Sequence, residues 1–241
     1  MKNEATEKRS APETFLHPEH LADLRKSGLS EETIELMCVC SVRPADIPKK
    51  IGWNPKKVMS VLALPYPGLD FSRFKVFPPY EDADGHHVKY LQRKGSGGHL
   101  YILLPVQAVL LNPSSSLFFT EGEKKTAKAV QEDLMCIGLG GLWNWIDKET
   151  GEAIEEIDSI ALVNREVGII PDSDTWGRLD LQKAVYALGK ELEARGAKVS
   201  LIVIPQAGVD KVGLDDLLVK GGLEIFNRLD RINLKHPTMK R

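Results

Sequence analysis

Leu117-Phe-Phe-Thr-Glu-Gly-Glu-Lys-Lys-Thr126 changes character in its middle: a short apolar run gives way to a glutamate, a glycine and a cluster of charges. The apolar half reads as a buried strand, Leu117 to Thr120, and the charged half opens a helix over Lys124 to Asp133, with Ala127 and Val130 on one face. Glu121 therefore follows the carboxyl end of a strand. The same rhythm continues downstream. Met135-Cys-Ile137 is a strand running into Gly138-Leu-Gly-Gly141, and Val167-Gly-Ile-Ile170 is a buried strand ending at Pro171-Asp-Ser-Asp174. Leu179 to Arg195 is a long amphipathic helix stopped by Gly196, Val199 to Ile204 is a strand, and Gly213 opens a last helix. Between these, the pattern of Ile157 to Leu162 fits helix and strand equally. Strands alternating with helices give an α/β fold, a mostly parallel sheet with helices packed on its faces.

Upstream the pattern differs. Residues 61–112 read as a small, mainly β unit, with strands at Val61–Tyr66, Phe74–Phe77 and His87–Leu91 and a hairpin turn at Asp82-Ala-Asp-Gly85. A glycine-rich loop, Lys94-Gly-Ser-Gly-Gly98, and the apolar stretch Leu100 to Leu104 complete it. Residues 1–60 form a disordered start, polar and charged through residue 14, then a helical lead-in. In that lead-in Leu21 and Leu24 share a helix face that Gly28 ends, Ser30 caps a second helix, and a third spans Pro44 to Ile51. The chain thus divides into 1–60, 61–112, 113–225 and a basic C-terminal tail over 226–241.

Composition excludes several classes. The chain has 241 residues, 42% apolar and 27% charged, with 32 basic against 34 acidic side chains. That is an ordinary soluble globular composition without the global basic excess of a nucleic-acid coat. Basic residues gather locally, over His86 to Lys94 and Arg228 to Arg241, where they could follow a phosphate backbone. Three cysteines, Cys38, Cys40 and Cys136, lack zinc-ligand spacing and suit a reducing cytoplasm. No signal peptide is visible and no apolar run is long enough to cross a bilayer, so no membrane partner is expected.

The chemistry points to the strand ends. In open parallel sheets, ligands bind outside the carboxyl ends of the strands. Glu121 falls there, and so do Asp172 and Asp174. Residues two apart in an extended segment share a side, so the two aspartates can present carboxylates to one spot. Magnesium takes a few carboxylates plus water and substrate phosphates. The competing reading is helix capping, which acidic residues after strands often perform. Two tempting motifs fail. Lys124-Lys125-Thr126 lacks the glycines of a phosphate-binding P-loop, and the adjacent strand residues His86 and His87 point to opposite faces.

Thr120-Glu-Gly-Glu-Lys-Lys-Thr126, Ile137-Gly-Leu-Gly-Gly141 and Pro171-Asp-Ser-Asp174 together resemble the Toprim domain of primases and topoisomerases. Lys89-Tyr-Leu-Gln-Arg-Lys-Gly95, followed by His99-Leu-Tyr-Ile102, is similar to the basic segment that precedes Toprim in bacterial replicative primases. Ile204-Pro205 and Gly213-Leu-Asp-Asp216-Leu-Leu are similar to the stretch that closes the domain. The Leu21–Gly28 region, Ser27-Gly-Leu-Ser30 and Gly138–Trp145 resemble an uncharacterised Toprim-like family attached to phage and plasmid primase-helicases. The resemblance covers residues 17 to 222.

It implies a Toprim-like sheet with helices on both faces, preceded by a small basic β subdomain and a helical N-terminal segment. It further implies primase-like nucleotidyl transfer on a single-stranded DNA or RNA template during replication of a phage or plasmid, using nucleoside triphosphates and Mg2+ or Mn2+. A helicase is an implied partner. Glu121 would match the family's general acid/base or metal-linked glutamate, and Asp172 and Asp174 its metal-binding aspartates. Lys124 or Lys125 could reach a phosphate. Lys89, Arg93 and Lys94 could hold template or nucleotide phosphates, with Tyr90 stacking or packing beside them. Gly138, Gly140 and Gly141 would admit phosphates close to the backbone. Asp215 or Asp216 would add charge nearby or cap a helix. A metal-dependent nuclease and a non-catalytic nucleic-acid-binding module are the alternative readings of the same residues. The primase pattern usually has glycine where this chain has Ser173, and the zinc-binding domain and helicase motor that accompany primases have no counterpart motif here.

Overall fold

The computed structural model describes residues 15–239 apart from 56, 57, 207 and 209. The disordered start expected over residues 1–14 lies outside them. Helices α1 (Pro18–Lys26) and α2 (Glu31–Leu36) lead in. Ser30 Oγ accepts the Thr33 N–H at 3.2 Å, the expected cap of α2. Strand β1 (Cys40–Val42) and a short helix α3 (Ile47–Ile51) precede β2 (Ser60–Pro65), β3 (Ser72–Glu81) and β4 (His87–Leu91). These four strands form an antiparallel sheet in the order β1-β2-β3-β4.

The second sheet comprises β5 (Leu100–Tyr101), β6 (Leu117–Glu121), β7 (Cys136–Leu139), β8 (Glu166–Ile170), β9 (Lys198–Ile202) and β10 (Arg231–Ile232). Its order is β10-β9-β8-β6-β7-β5; the four inner strands are parallel and the two edges antiparallel. Between them run α4 (Leu104–Gln107), α5 (Glu123–Gln131), α6 (Leu179–Ala194) and α7 (Leu214–Asn227), the last interrupted at Gly221–Gly222. The crossover β6-α5-β7 steps one way along the sheet and β8-α6-β9 steps the other. Right-handed crossovers then place α5 and α6 on opposite faces and reverse the strand order between β6 and β8. Among the described residues no helix is long and apolar enough to cross a membrane.

Strand alternation decides how the sheets meet. On β2, Val61 and Ala63 face a small core with Ile47, Ile51, Phe74 and Val76, while Leu62 and Leu64 join the main core around β6 to β9. In register, Leu62 opposes Lys75 and Leu64 opposes Arg73, so two cations of β3 lie on the face turned to the second sheet. Each finds an acid, Glu123 buried and Asp23 half-buried. Arg73 donates to Glu123 Oε1 at 2.9 Å, and Tyr66 Oη donates to the same oxygen at 2.8 Å. Burial would lower the Arg73 pKa, but Glu123 beside it raises it above the ordinary arginine value. Lys75 donates to Asp23 Oδ1 at 2.5 Å, and Lys124 lies 3.1 Å from Asp23 Oδ2. Burial and the neighbouring Lys124 charge bring the Lys75 pKa down to about 8. The two sheets and α1 are therefore joined through charge pairs as well as apolar contact.

Three expectations change. Leu100–Tyr101, read with the first β unit, pairs with β7 in the second sheet, because Tyr101 and Leu100 are fully apolar-packed there. The stretch 226–241, read as a basic tail from its charge, is docked through Met239: Ile232 extends the sheet, and Leu234 and Met239 are buried. The ambiguous Ile157–Leu162 is a 3₁₀ turn over Glu155–Ser159 followed by extended chain. Fully buried Arg165 secures that region by donating to the carbonyls of Val109, Leu110, Ser115 and Ala161.

Breaking the buried pair should be expensive. Arg73→Met strands the Glu123 carboxylate and is expected to lose about 3–5 kcal/mol in urea unfolding, whereas Arg73→Met with Glu123→Gln should lose clearly less. Equal losses would mean that the charge pair does not join the sheets. A second prediction concerns His20, whose ring nitrogens lie 2.7 Å from Ser41 Oγ and 3.0 Å from Ser60 Oγ. Burial, with the His17 and Lys75 charges outweighing Asp23, lowers its pKa from 6.5 to about 4. The unfolded chain thus binds a proton that the folded chain refuses in this window, and stability falls as pH drops from 6.5 towards 4. Urea midpoints measured across that window should fall less in His20→Gln than in the parent.

Candidate functional site

The reversal between β6 and β8 sets their carboxyl ends side by side. Thr120 pairs in register with Ile170, and its Oγ1 donates to the Ile170 carbonyl at 3.0 Å. Glu121 and Pro171-Asp172 therefore leave the sheet together. Gly122 turns the chain from β6 into α5 with φ of 103°, a conformation that side chains strain. Glu121 is then partly exposed while Glu123, two residues on, is buried.

Asp172 is only 4% exposed, yet two ammonium groups reach its carboxylate. Lys125 Nζ, from α5, lies 2.6 and 2.5 Å from the two oxygens. Lys211 Nζ, from the loop between β9 and α7, lies 2.5 Å from Oδ2. Burial opposes the Lys211 charge, but the hydrogen bond and charge of Asp172, followed by Asp174 and Glu121, raise its pKa above the ordinary lysine value. All three carboxylates singled out from the sequence thus act on one ammonium group.

Their geometry differs from the expected one. Asp172 is extended, with φ −64° and ψ 157°, but a 3₁₀ turn over Ser173–Gly177 starts at the next residue. Asp174 rides on that turn, so the same-side rule for extended residues does not govern the pair. Asp172 forms no capping hydrogen bond, which removes the helix-cap reading for it. Asp174 Oδ2 is 3.8 Å from Arg178, and its Oδ1 is buried without a hydrogen-bond partner among the described residues. Ser173, between the two aspartates, grips the Lys211 loop: its Oγ accepts the Val212 N–H at 2.8 Å, and its own N–H donates to the Val212 carbonyl at 3.0 Å. Asp216 Oδ2 accepts the Gly213 N–H at 2.9 Å and so caps α7. Asp215 is buried just inside that helix start, where a Cβ on Gly213 would lie 2.8 Å from its Oδ1 and 2.9 Å from Lys125 Cε.

Among the described residues, one set of three metal-ligating groups brings its ligand atoms within 4.8 Å of one another: Asp82, Asp84 and His86 in the β3–β4 turn. There Asp82 Oδ1 also accepts the Asp84 and His86 N–H groups, an ordinary turn arrangement. Glu121, Asp172 and Asp174 are spread more widely, around the Lys211 ammonium group.

The other candidates separate into exposed and structural groups. Lys89, Arg93 and Lys94 are exposed on β4 and the loop after it. Lys124 is turned away from the acidic site and donates to the Asp23 carbonyl at 3.2 Å, tying α5 to α1. Tyr90 packs beneath the Arg73 guanidinium, 4.7 Å from its ring centre. At Gly138 a Cβ would lie 2.4 Å from Thr126 Oγ1 and 3.1 Å from Tyr101 Cβ, so its smallness lets α5 and β5 close on β7. At Gly140 a Cβ would stand 3.0 Å from Arg73 Nη1, making room for the buried arginine; Gly141 has ordinary clearance from Asn144. Lys211, Ser173, Arg73 and Glu123 were not among the sequence candidates. The one available signal was on β3, where Arg73 and Lys75 alternate with apolar residues and so mark charges facing a core.

Residues 106–225 match the family profile described as a domain of unknown function, DUF3854. An uncharacterized protein of Picosynechococcus sp. is 32% identical over 131 residues, a segment covering 49% of this chain and 13% of that protein. Among solved structures, the fold is similar to the zinc-binding and RNA polymerase domains of Aquifex aeolicus primase, with a TM-score of 0.63 and 12% identity over 90% of this chain and 57% of that one. It is also similar to the RNA polymerase domain of Mycobacterium tuberculosis primase DnaG, with a TM-score of 0.51 and 14% identity over 90% of this chain and 67% of that one. The chain thus has the fold of primase polymerase domains while spanning a small part of its curated relative and little more than half of the Aquifex chain.

The packing role of Gly138 can be tested apart from any ligand. Gly138→Ala is expected to destabilise by about 1–3 kcal/mol through overpacking against Thr126 and Tyr101. An unchanged thermal midpoint would return Gly138 to the list of ligand-contacting glycines.

Proposed function

We propose that this chain is a primase-like Toprim module that performs metal-dependent nucleotidyl transfer on a single-stranded template in the replication of a phage or plasmid. The observation that carries this reading is the placement of Glu121, Asp172 and Asp174. They stand at the strand ends where the order of the parallel sheet reverses, the place where such sheets bind ligands, and all three act on one cation. Residues 113–225, completed by β5 and β10 at the edges, form the Toprim-like unit of this reading.

Glu121, Asp172 and Asp174 are the residues that would hold Mg2+ or Mn2+. The donor set fits a hard divalent cation: oxygen ligands only, with one buried Asp174 oxygen lacking a hydrogen-bond partner among the described residues. When bound, the metal supplies neutralisation of phosphate charge and a more reactive attacking oxygen. The chain's own residues supply the rest. Lys125 balances negative charge at the site, and Asp215 adds charge nearby. Lys89, Arg93 and Lys94 line an exposed edge suited to the phosphates of a template or nucleotide. In the transfer, a 3′-hydroxyl bonds to the α-phosphorus of a triphosphate, its proton passes to Glu121 or solvent, and the bond to the leaving pyrophosphate breaks.

The chain should be incubated with nucleoside triphosphates, single-stranded DNA or RNA and Mg2+ or Mn2+, and the products resolved by length. Short new strands are expected, lost in EDTA and in Asp172→Asn. Synthesis that persists in Asp172→Asn would refute the site. Shortened template in place of new strands would indicate the nuclease, and binding without any product the non-catalytic module.

A further inference from the structure

A carboxylate as buried as Asp172 needs compensating charge, and two ammonium groups provide it. They are not equivalent. Lys125 projects from helix α5, and its side chain is 18% exposed. Lys211 sits on a loop and keeps 48% of its side chain in solvent, so it can swing away with little loss of packing. The loop is held to the acidic segment by the two Ser173–Val212 hydrogen bonds. One of them needs the serine hydroxyl, which a glycine at this position could not offer.

Magnesium binds oxygen at about 2.0–2.1 Å, so a metal on Asp172 Oδ2 would crowd and repel an ammonium already touching that atom. Resting on the metal reading above, we propose that Lys211 is a built-in counter-cation: its ammonium holds Asp172 in the absence of divalent metal and is displaced when metal enters. The Ser173–Val212 bonds set how firmly it is held. Ser173 and Lys211 act here as positioning residues, through Asp172.

Direct Mn2+ titration of the whole chain, followed by the electron paramagnetic resonance signal of free Mn2+, tests this without any turnover. Lys211→Met should bind Mn2+ at least about fivefold more tightly than the parent, and Ser173→Gly, which changes no charge, about two- to threefold more tightly. Lys198→Met, which removes the same charge from a distant exposed pair with Glu166, should change binding by less than either. Hydrogen exchange at the Val212 amide should quicken when the parent is saturated with Mn2+. Parent-like affinity in both Lys211→Met and Ser173→Gly would overturn the proposal while leaving the metal site standing. So would equal tightening in Lys198→Met and Lys211→Met, or unchanged Val212 protection. No Mn2+ binding by the parent or any variant would remove the metal reading itself. Should Lys211→Met fail to fold, Ser173→Gly and the exchange measurement still decide the matter.

Discussion

Glu123 is a carboxylate with almost no access to water, and a buried carboxylate demands positive charge within touching distance. Arg73 supplies it from the other sheet, Tyr66 adds a hydroxyl to the same oxygen, and Tyr90 covers the guanidinium. This requirement fixes the approach of the two sheets more tightly than apolar packing would, because a charge pair tolerates little displacement at low dielectric. It also fixes the site. Glu123 is the first residue of α5, and Gly122 before it takes a left-handed turn. With Glu123 pinned inward, Glu121 has no choice but the carboxyl edge of the sheet.

Two charge clusters lie within a few residues of each other and differ in what surrounds their cations. The Glu123 cluster is closed: its arginine is 13% exposed and stacked on an aromatic ring. The Asp172 cluster is open on one side, since Lys211 keeps 48% of its side chain in water. The same interaction therefore serves two ends. Where both partners are enclosed, it sets the geometry of the fold. Where one partner reaches solvent from a loop, the pair is the one proposed above to exchange for another cation.

Much of this was legible in the sequence. Short continuous apolar runs separated by helices gave the parallel sheet, and the residues after Thr120 and Ile170 gave Glu121, Asp172 and Asp174 as the carboxylates at the strand ends. Local patterning could not reveal partners brought in from afar. Lys211 lies in a loop with no periodic signal, and it meets Asp172 only because β9 runs beside β8. Lys124 and Lys125 look alike as neighbours on a helix, yet one is drawn to Asp23 and the other to Asp172. The extended geometry assumed for Asp172 and Asp174 failed at Ser173, whose hydroxyl and amide both bond to Val212 and turn the chain. The last strand was hidden because charge dominates residues 226–241 in composition, while burial of Leu234 and Met239 dominates in space.

The acidic site is poorly explained as a device for stability. Buried ion pairs can often be replaced by apolar side chains of similar volume with no loss of stability, or with a gain. Asp172 with two lysines, Glu121 nearby and an Asp174 oxygen without a hydrogen-bond partner among the described residues is a costly way to close one end of a sheet. The Glu123–Arg73 pair joins two sheets; the Asp172 cluster ties the turn after β8 to helix α5 and to the Lys211 loop, elements of one sheet layer. Its position at the reversal of strand order, where parallel sheets bind ligands, is what the proposed metal site accounts for.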